Sequence, residues 1–342
     1  MTLQQRLGIW AATLAVVLAA AAFAWRSLPR DEVWLRLREP SLPLPDPNQV
    51  FLPGGPRDPI LLLVIENTPP ARPQAGLADA CLVFAVPTEA RITRFLTAFC
   101  RQAPPVVGPI RSVRRYMLEL AQDLGAVLVH AGFSAEAQTM IVNQRLPVIN
   151  EFWTPAPFWR DPARPMPHNL YTSIDGLQTA LRTRPIETRR RYLPYRFAYE
   201  HLTVPRSAAP AGAVSLDYGP LYAVRYRYDA AQRRYRREQD GRPHLDAAGI
   251  QVAPASILVL FIQWRDELVR GRPSSRINLV GHGRLVVLTE GRMAEGTWKR
   301  TVAGPLTLAD ASGRDIVLPP GPVWIELFPA DRPFEVQAEA GS

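Results

Sequence analysis

The 342-residue chain lacks the residues and motifs that mark several common enzyme classes. It contains one lysine, two cysteines and five histidines. No histidine stands three or four positions from another ligand type on an evident helix, so no metal site is predicted. P-loop, G-x-G-x-x-G, C-x-x-C, H-E-x-x-H and G-x-S-x-G motifs are all absent. Their absence argues against an ordinary α/β-hydrolase and predicts no bound cofactor.

Composition and charge are those of a basic globular protein. The chain is 47% hydrophobic and 21% charged, with a net charge of +9, and its length favours roughly two domains of about 100–200 residues. Thirteen arginines and four acidic residues lie between Arg182 and Arg237, so this segment alone carries the whole excess. Such a stretch contacts nucleic acid, anionic lipid or an acidic polymer, or is simply a solvated face. We expect the arginine-rich segment to lie on the protein surface.

An uncharged apolar run near the N-terminus predicts an extracytoplasmic protein. Residues 7–25 contain no charge, and a predominantly apolar run of 19 residues is about enough to cross a bilayer. Ala22-Phe23-Ala24 resembles a signal-peptide cleavage site, but the run is longer than a usual signal core, which favours an uncleaved anchor. Both alternatives stay open. The expectation is a single-pass inner-membrane protein with residues 1–6 in the cytoplasm and the main domain outside, or a secreted protein if the segment is cleaved.

The remaining chain divides by composition and periodicity. Residues 26–58 form a proline-rich linker, and 59–181 alternate strands with short helices, which predicts a mixed α/β (α+β) N-terminal domain. An arginine-rich hairpin segment follows at 182–254, then a smaller β-rich C-terminal domain at 255–330 and a tail at 331–342. Helix 135–144 is expected to begin at an N-cap on Ser134.

The two cysteines lie in strand-like segments on either side of a turn. A hairpin centred near Ala90 brings Cys81 and Cys100 opposite each other. Outside the cytoplasm they can form a disulfide. Two buried free thiols are the equally weighted alternative.

Polar residues recur in blocks that resemble one known family. The blocks read IEN, ARPQAGL, EARITRF, GPIRSVR, HAGFS and RPMPHNLYTS, and later GRMAEGTW and LPPGPVWIELFP. In this order they resemble the YerB-like lipoproteins of bacteria, a family named for its unknown function. The resemblance runs from about Pro59 to Pro329 and implies the family's N- and C-terminal domains and an envelope location. Many relatives carry acidic residues where this chain has Cys81 and Ala85, and the lipid-attachment cysteine is replaced by a plain anchor.

The polar blocks supply the candidate site. The catalytic candidates are Glu89, His130 and His168, since carboxylate and imidazole groups transfer protons. Arg111 and Arg114 precede a helix, where guanidinium groups and the helix N-terminus both favour anions. The ligand-binding candidates are Asn67, Arg72, Gln74, Arg94, Arg111, Ser112, Arg114, Ser134, Arg160, Asn169 and Tyr171. The structural alternatives are that Glu89 pairs with Arg94 or Arg111, and that the histidines are ordinary hydrogen-bonded residues.

Three functions follow from this reading. The leading hypothesis is binding of an anionic envelope glycan such as peptidoglycan, with the Phe158-Trp159 pair available to stack on a sugar. A peptidoglycan-cleaving hydrolase or lytic enzyme is the rival, with Glu89 as general acid/base and Asp161 as the second carboxylate. Nucleic-acid binding through 182–237 is the third, and no nucleic acid is expected outside the cytoplasm.

Overall fold

The computed structural model describes residues 59–100, 104–188, 192–269 and 272–339. The predicted cytoplasmic N-terminus 1–6, apolar segment 7–25 and linker 26–58 lie outside the described residues. Within the described ranges, no helix is long and apolar enough to cross a membrane.

Alternating and continuous apolar runs form the strands of the fold. The strands are β1 (Ile60–Glu66), β2 (Leu82–Pro87), β3 (Thr93–Ala98), β4 (Ala126–His130), β5 (Val148–Asn150), β6 (Phe158–Arg160), β7 (Leu170–Thr172), β8 (Tyr195–Phe197), β9 (Ala209–Pro210), β10 (Ala213–Asp217), β11 (Ala223–Asp229), β12 (Arg234–Gln239), β13 (Arg242–Pro243), β14 (Ser256–Val269), β15 (Arg272–Asn278), β16 (Gly281–Thr289), β17 (Arg292–Arg300), β18 (Thr307–Asp310), β19 (Ile316–Leu318), β20 (Val323–Pro329) and β21 (Phe334–Gln337). The α-helices are α1 (Arg115–Leu124), α2 (Ala135–Gln144) and α3 (Ile174–Thr183), and short 3-10 turns occur at Pro69–Ala71, Leu77–Asp79 and Glu89–Arg91.

Most strands join one large mixed sheet. In the described part of the chain this sheet has twelve strands, ordered β18-β17-β16-β14-β20-β2-β3-β1-β4-β5, with β15 and β9 added on β14 and β17. Strands β1, β4 and β5 are parallel, as are β2, β20 and β14. The predicted mixed α+β class is confirmed, and its β-rich C-terminal region shares this sheet through the β2–β20 pairing.

A second antiparallel sheet covers one face of the large one. Its order is β13-β12-β11-β10-β21. Side chains alternate across each strand, so β1 sends Leu62 and Val64 to the face covered by α1 and sends Leu63 and Ile65 to the opposite apolar cluster, which includes residues of the second sheet.

Local capping explains the helix ends. Ser134 begins α2, and its Oγ accepts a hydrogen bond from the Ala137 backbone N–H at 3.3 Å. The predicted α2 helix and its N-cap are confirmed. Helix α1 ends at Gly125, which has a positive φ of 64° that glycine adopts without strain.

The two cysteines lie just outside the ends of β2 and β3. Cys81 and Cys100 form a disulfide at the open end of the β2–β3 hairpin, with a Cα–Cα distance of 5.9 Å.

The basic hairpin is β11 and β12, but it is not simply a surface feature. Arg237 on β12 is only 1% exposed, because every second residue of that strand faces the large sheet.

Candidate functional site

Polar side chains collect where the parallel strands end. Glu66 ends β1, His130 ends β4 and Asn150 ends β5, and all three are buried. The carboxyl ends of neighbouring parallel strands meet at one edge of a sheet, which is where ligand sites form in many α/β proteins. This strand edge carries most of the candidates from the sequence.

Residues 108–113 lie between the ends of β1 and β4. The Arg111 N–H donates to the Val64 carbonyl at 2.9 Å, and the Arg111 carbonyl accepts from the Ala131 N–H at 3.0 Å. The Ser112 hydroxyl then donates to the Ala131 carbonyl at 2.9 Å, and Arg94 donates to the Ser112 carbonyl at 2.7 Å. The Ser112 side chain is therefore used to hold this segment in place.

Glu66 is the carboxylate at the centre of the strand edge. Its Oε1 accepts from the Thr68 hydroxyl at 2.6 Å and lies 2.9 Å from Nδ1 of His168. Its Oε2 lies 3.2 Å from Nε of Arg111. The structure thus brings the predicted His168 and Arg111 together around a carboxylate that was not among the candidates.

Asn67, Arg72 and Gln74 form a hydrogen-bonded cluster beside Glu66. Asn67 Oδ1 accepts from Arg72 Nε at 3.2 Å and from Gln74 Nε2 at 2.9 Å. Arg72 also donates to Asp240 at 2.8 Å and lies over the ring of Tyr222. Because their polar groups are engaged within the protein, these candidates stabilise the loop between β1 and β2.

The cluster continues into a buried network that sequence reasoning missed. Gln74 Oε1 accepts from Nε2 of His244 at 3.1 Å, and Arg237 donates to Nδ1 of the same ring. Burial first, and then the charges of Arg237 and Arg72, hold the pKa of His244 well below its usual value, so the ring is neutral. Arg237 Nε also lies 4.0 Å from the carboxylate of Glu326.

Two tyrosine hydroxyls donate hydrogen bonds to the carboxylate of Glu326. Tyr218 donates to Glu326 Oε2 at 2.7 Å, and Tyr226 donates to Oε1. Burial, followed by the Glu326 charge, raises the pKa of both tyrosines well above the usual value. A charged residue inside the apolar run VWIELFP was the available sequence signal for this network.

Glu89 is engaged in a bidentate ion pair. Arg114 donates through Nε to Oε1 and through Nη2 to Oε2, the latter at 3.0 Å. The structural alternative named Arg94 or Arg111 as the partner of Glu89, and it is wrong in the partner. The guanidinium groups of Arg94 and Arg111 lie against Ser112 and Glu66 instead. Burial raises the pKa of Glu89, but the hydrogen bond and charge of Arg114 outweigh it, so the net pKa is lowered. An ionised Glu89 suits an ion pair better than a general acid.

The residues that end β4 and β5 each carry a buried polar atom without a partner in the described structure. His130 Nδ1 donates to the Gly132 carbonyl at 2.8 Å, whereas its Nε2 has no partner among the described residues. Burial lowers the pKa of His130 to about 4, against the smaller opposing effect of that hydrogen bond. Asn150 is paired with His130 in the register, and its buried Nδ2 is also unpaired in the described structure.

The remaining candidates lie around the β6–β7 hairpin. Arg160 donates to Asn169 at 3.1 Å and to Glu151 at 2.9 Å. Asp161 accepts from the Ala163 N–H at 2.9 Å, so its carboxylate stabilises a turn. The ring of Trp159 is exposed, whereas the Phe158 ring packs partly against the core and Tyr171 is buried.

A cavity opens beside the N-termini of α1 and α2. It has a volume of about 470 Å³ and lies against the β14–β15 hairpin. We refer to this hairpin as the arm and to the cavity as the arm cavity. The predicted residues Arg114 and Ser134 line it, together with Trp264 and Arg265 of β14. The Trp264 Nε1–H is buried with no hydrogen-bond partner in the described structure. Across the described ranges, no group of three or more His, Cys, Asp or Glu side chains is arranged to hold a metal ion.

Comparison with known proteins assigns the family. Residues 54–187 match the "Protein of unknown function (DUF3048) N-terminal domain", and residues 214–325 match the corresponding C-terminal domain. The chain is 30% identical over 275 residues to "Putative lipoprotein YerB" of Bacillus subtilis (strain 168), covering 78% of this chain and 80% of that protein. It is also similar to the crystal structure of the YerB protein from Bacillus subtilis, with a TM-score of 0.70, 28% identity, and coverage of 81% of this chain and 93% of that one. The chain therefore belongs to the DUF3048 family, of which it contains both the N-terminal and the C-terminal domain.

Proposed function

We propose that the protein binds an anionic cell-envelope glycan such as peptidoglycan through the arm cavity. The observation that carries this proposal is the lining of that cavity, where Ser134 and Trp264 lie beside two exposed arginines of the hairpin, Arg265 and Arg276. Arg114 also lines the cavity, but its guanidinium is held by Glu89. Its volume of about 470 Å³ falls within the range of about 300–1,000 Å³ of small-molecule sites.

The cavity is lined by side chains of both signs of charge. They suit a ligand that carries carboxylate groups and, in addition, ammonium or hydroxyl groups. Arginine residues line it together with Glu119, Glu136 and Glu267. Arg276 Nε lies 3.4 Å from Glu267 Oε1, whereas no ion pair of the described residues engages Arg265. Guanidinium groups bind carboxylates through paired hydrogen bonds, while carboxylates accept from ammonium and hydroxyl groups. Peptidoglycan carries all of these groups on its sugars and stem peptides. The unpaired indole N–H of Trp264 offers one more donor.

We also propose that residues 7–25 anchor the chain in the inner membrane and that the described residues lie outside the cytoplasm. The support is the uncharged run itself, the similarity to a protein named as a lipoprotein, and the Cys81–Cys100 disulfide, which is typical of oxidising compartments. A reporter active only in the periplasm, fused after Ser342, tests this placement. An inactive reporter with an active cytoplasmic counterpart contradicts it.

The arginine-rich hairpin gives little support to the nucleic-acid alternative. Arg227 is paired with Glu238, Arg236 is paired with Asp229, and Arg237 is buried. These ion pairs reduce the net positive charge that the hairpin presents, and electrostatic binding to phosphates depends on that charge. We therefore propose no nucleic-acid partner.

Binding is tested with the full-length chain in detergent. We expect it to sediment with purified sacculi, and to bind soluble muropeptides in isothermal titration calorimetry. Arg265→Ala combined with Arg276→Ala should weaken muropeptide binding at least tenfold, since a hydrogen bond to a charged group contributes about 1.5–3 kcal/mol. Arg196→Ala is the matched control, because Arg196 is also exposed but does not line the cavity. The proposal fails if wild type does not sediment, or if the double variant binds as the control does.

A further inference from the structure

The pairing of Glu66 with His168 is a second arrangement suited to acid–base chemistry. Glu66 is 1% exposed, and its Oε1 lies 2.9 Å from Nδ1 of His168. A carboxylate in an ion pair with arginine accepts hydrogen bonds but donates none, so Nδ1 carries the hydrogen and donates. In the neutral ring this fixes the tautomer and leaves the lone pair on Nε2.

The imidazole is held firmly while Nε2 stays available. The backbone N–H of His168 donates to the Pro165 carbonyl at 3.0 Å, and the Thr68 hydroxyl lies 3.4 Å from Nδ1. The contacts of the described residues leave Nε2 without a partner, and the side chain is 19% exposed. The ring is therefore oriented by a buried carboxylate and accessible from solvent at its basic nitrogen.

A cation lies on the other side of the same carboxylate. Arg111 Nε is 3.2 Å from Glu66 Oε2, and its side chain is 24% exposed. In the described structure no hydrogen bond occupies its terminal Nη groups. Arg111 can therefore bind negative charge on a ligand that reaches His168.

We propose that His168 is a general base that activates water for hydrolysis of an ester or amide bond in an anionic ligand, with Glu66 as its positioning residue and Arg111 binding the ligand's negative charge. The arrangement corresponds to the base-and-orienter pair that acyl hydrolysis uses. Glycoside hydrolysis instead uses two carboxylates. This site does not line the arm cavity, so the proposal is independent of glycan binding.

The reaction balances without any further reagent. Nε2 of His168 takes a proton from water as the water oxygen forms a bond to the carbonyl carbon. The tetrahedral intermediate then collapses, which breaks the bond to the alcohol oxygen or amine nitrogen. The protonated Nε2 returns its proton to that leaving group, and the products are a carboxylic acid and an alcohol or amine.

The test compares an anionic with a neutral ester on the full-length chain. The probes are 4-nitrophenyl hydrogen succinate and 4-nitrophenyl acetate, with release of 4-nitrophenol as the readout. We expect wild type to prefer the succinate ester, and His168→Gln to lower kcat/KM about 100-fold, as loss of a general base does. His201→Gln is the control, since His201 is an exposed histidine elsewhere in the chain. Arg111→Ala should remove the preference for the anionic ester.

Two further readouts separate catalysis from folding. Added imidazole should restore activity to His168→Ala, which a misfolded variant would not show. Glu66→Gln removes the negative charge beside the ring, so the midpoint of its pH–rate profile should shift to lower pH. The proposal is overturned if wild type hydrolyses neither ester faster than His168→Gln, or if His168→Gln and His201→Gln behave alike.

Discussion

The buried guanidinium of Arg237 makes the sharpest stability prediction. Arg237 and its neighbour Arg236 are the same residue type on one strand, but their side chains point to opposite faces. Arg237 is 1% exposed, whereas Arg236 is exposed and pairs with Asp229 at the surface. Replacing each with alanine therefore isolates the effect of burial.

The magnitude follows from what Arg237→Ala leaves behind. The substitution removes the donor to Tyr226 at 3.2 Å, the donor to His244, and the cation 4.0 Å from Glu326, whose carboxylate then has no buried cation beside it. Breaking a buried ion pair by removing one partner costs about 3–5 kcal/mol. The guanidinium also lies 4.9 Å from the ring centre of Trp324. We expect Arg237→Ala to lower the free energy of unfolding by about 4 kcal/mol, and Arg236→Ala by less than about 1 kcal/mol.

Urea unfolding followed by far-UV circular dichroism measures both variants. Equal m-values for the variants and wild type would show that the same surface is exposed on unfolding. Arg237→Met combined with Glu326→Gln should lose less stability than Arg237→Ala alone, since neither charge of the buried pair is then left without its partner. A loss for Arg237→Ala within about 1 kcal/mol of that for Arg236→Ala would refute the reasoning.

Three other stability effects are expected. The folded-state pKa of His130 is about 4, against 6.5 for the free side chain, so the unfolded chain binds more protons between these values. Stability should be constant above about pH 7 and fall by roughly 3 kcal/mol between pH 7 and 4 from this group, and His130→Gln should flatten that slope in urea titrations at several pH values. Reducing the Cys81–Cys100 disulfide, which joins residues 19 positions apart, should lower the free energy of unfolding by about 3 kcal/mol, and Cys81→Ser with Cys100→Ser should show no effect of reductant. Ser134→Ala should cost about 1 kcal/mol through loss of the α2 N-cap, and Ser134→Asp should retain most of the cap in thermal melts.

Sequence patterns predicted the elements whose signals are local. Helix α2 has its own N-cap, and the β2–β3 hairpin has its turn near Ala90, so each is specified within about 20 residues. The same patterns suggested a separate smaller C-terminal unit. They could not show that β20 pairs with β2, because pairing between strands about 240 positions apart leaves no periodic signal.

The sequence predicted which residues belong to the candidate site better than it predicted which of them contact each other. Residues of the polar blocks do gather at the strand edge, because parallel strands bring their ends together there. The pairing of Glu66 with His168 joins residues 102 positions apart. Its geometry depends on the whole sheet being formed, so no spacing rule identifies it.

The two family domains cannot be energetically independent, because polar groups of each satisfy those of the other. Gln74 follows β1 in the N-terminal domain, yet its side chain accepts from His244 and its carbonyl accepts from the Ala247 N–H at 2.7 Å. Arg72 likewise donates to Asp240 of the C-terminal domain. Without these partners, buried donors and acceptors beside Glu66 would be unpaired, each costing about 1–3 kcal/mol. Residues of the C-terminal domain therefore hold the loop that flanks the Glu66–His168 pair. The strand-edge site depends on both domains being folded together.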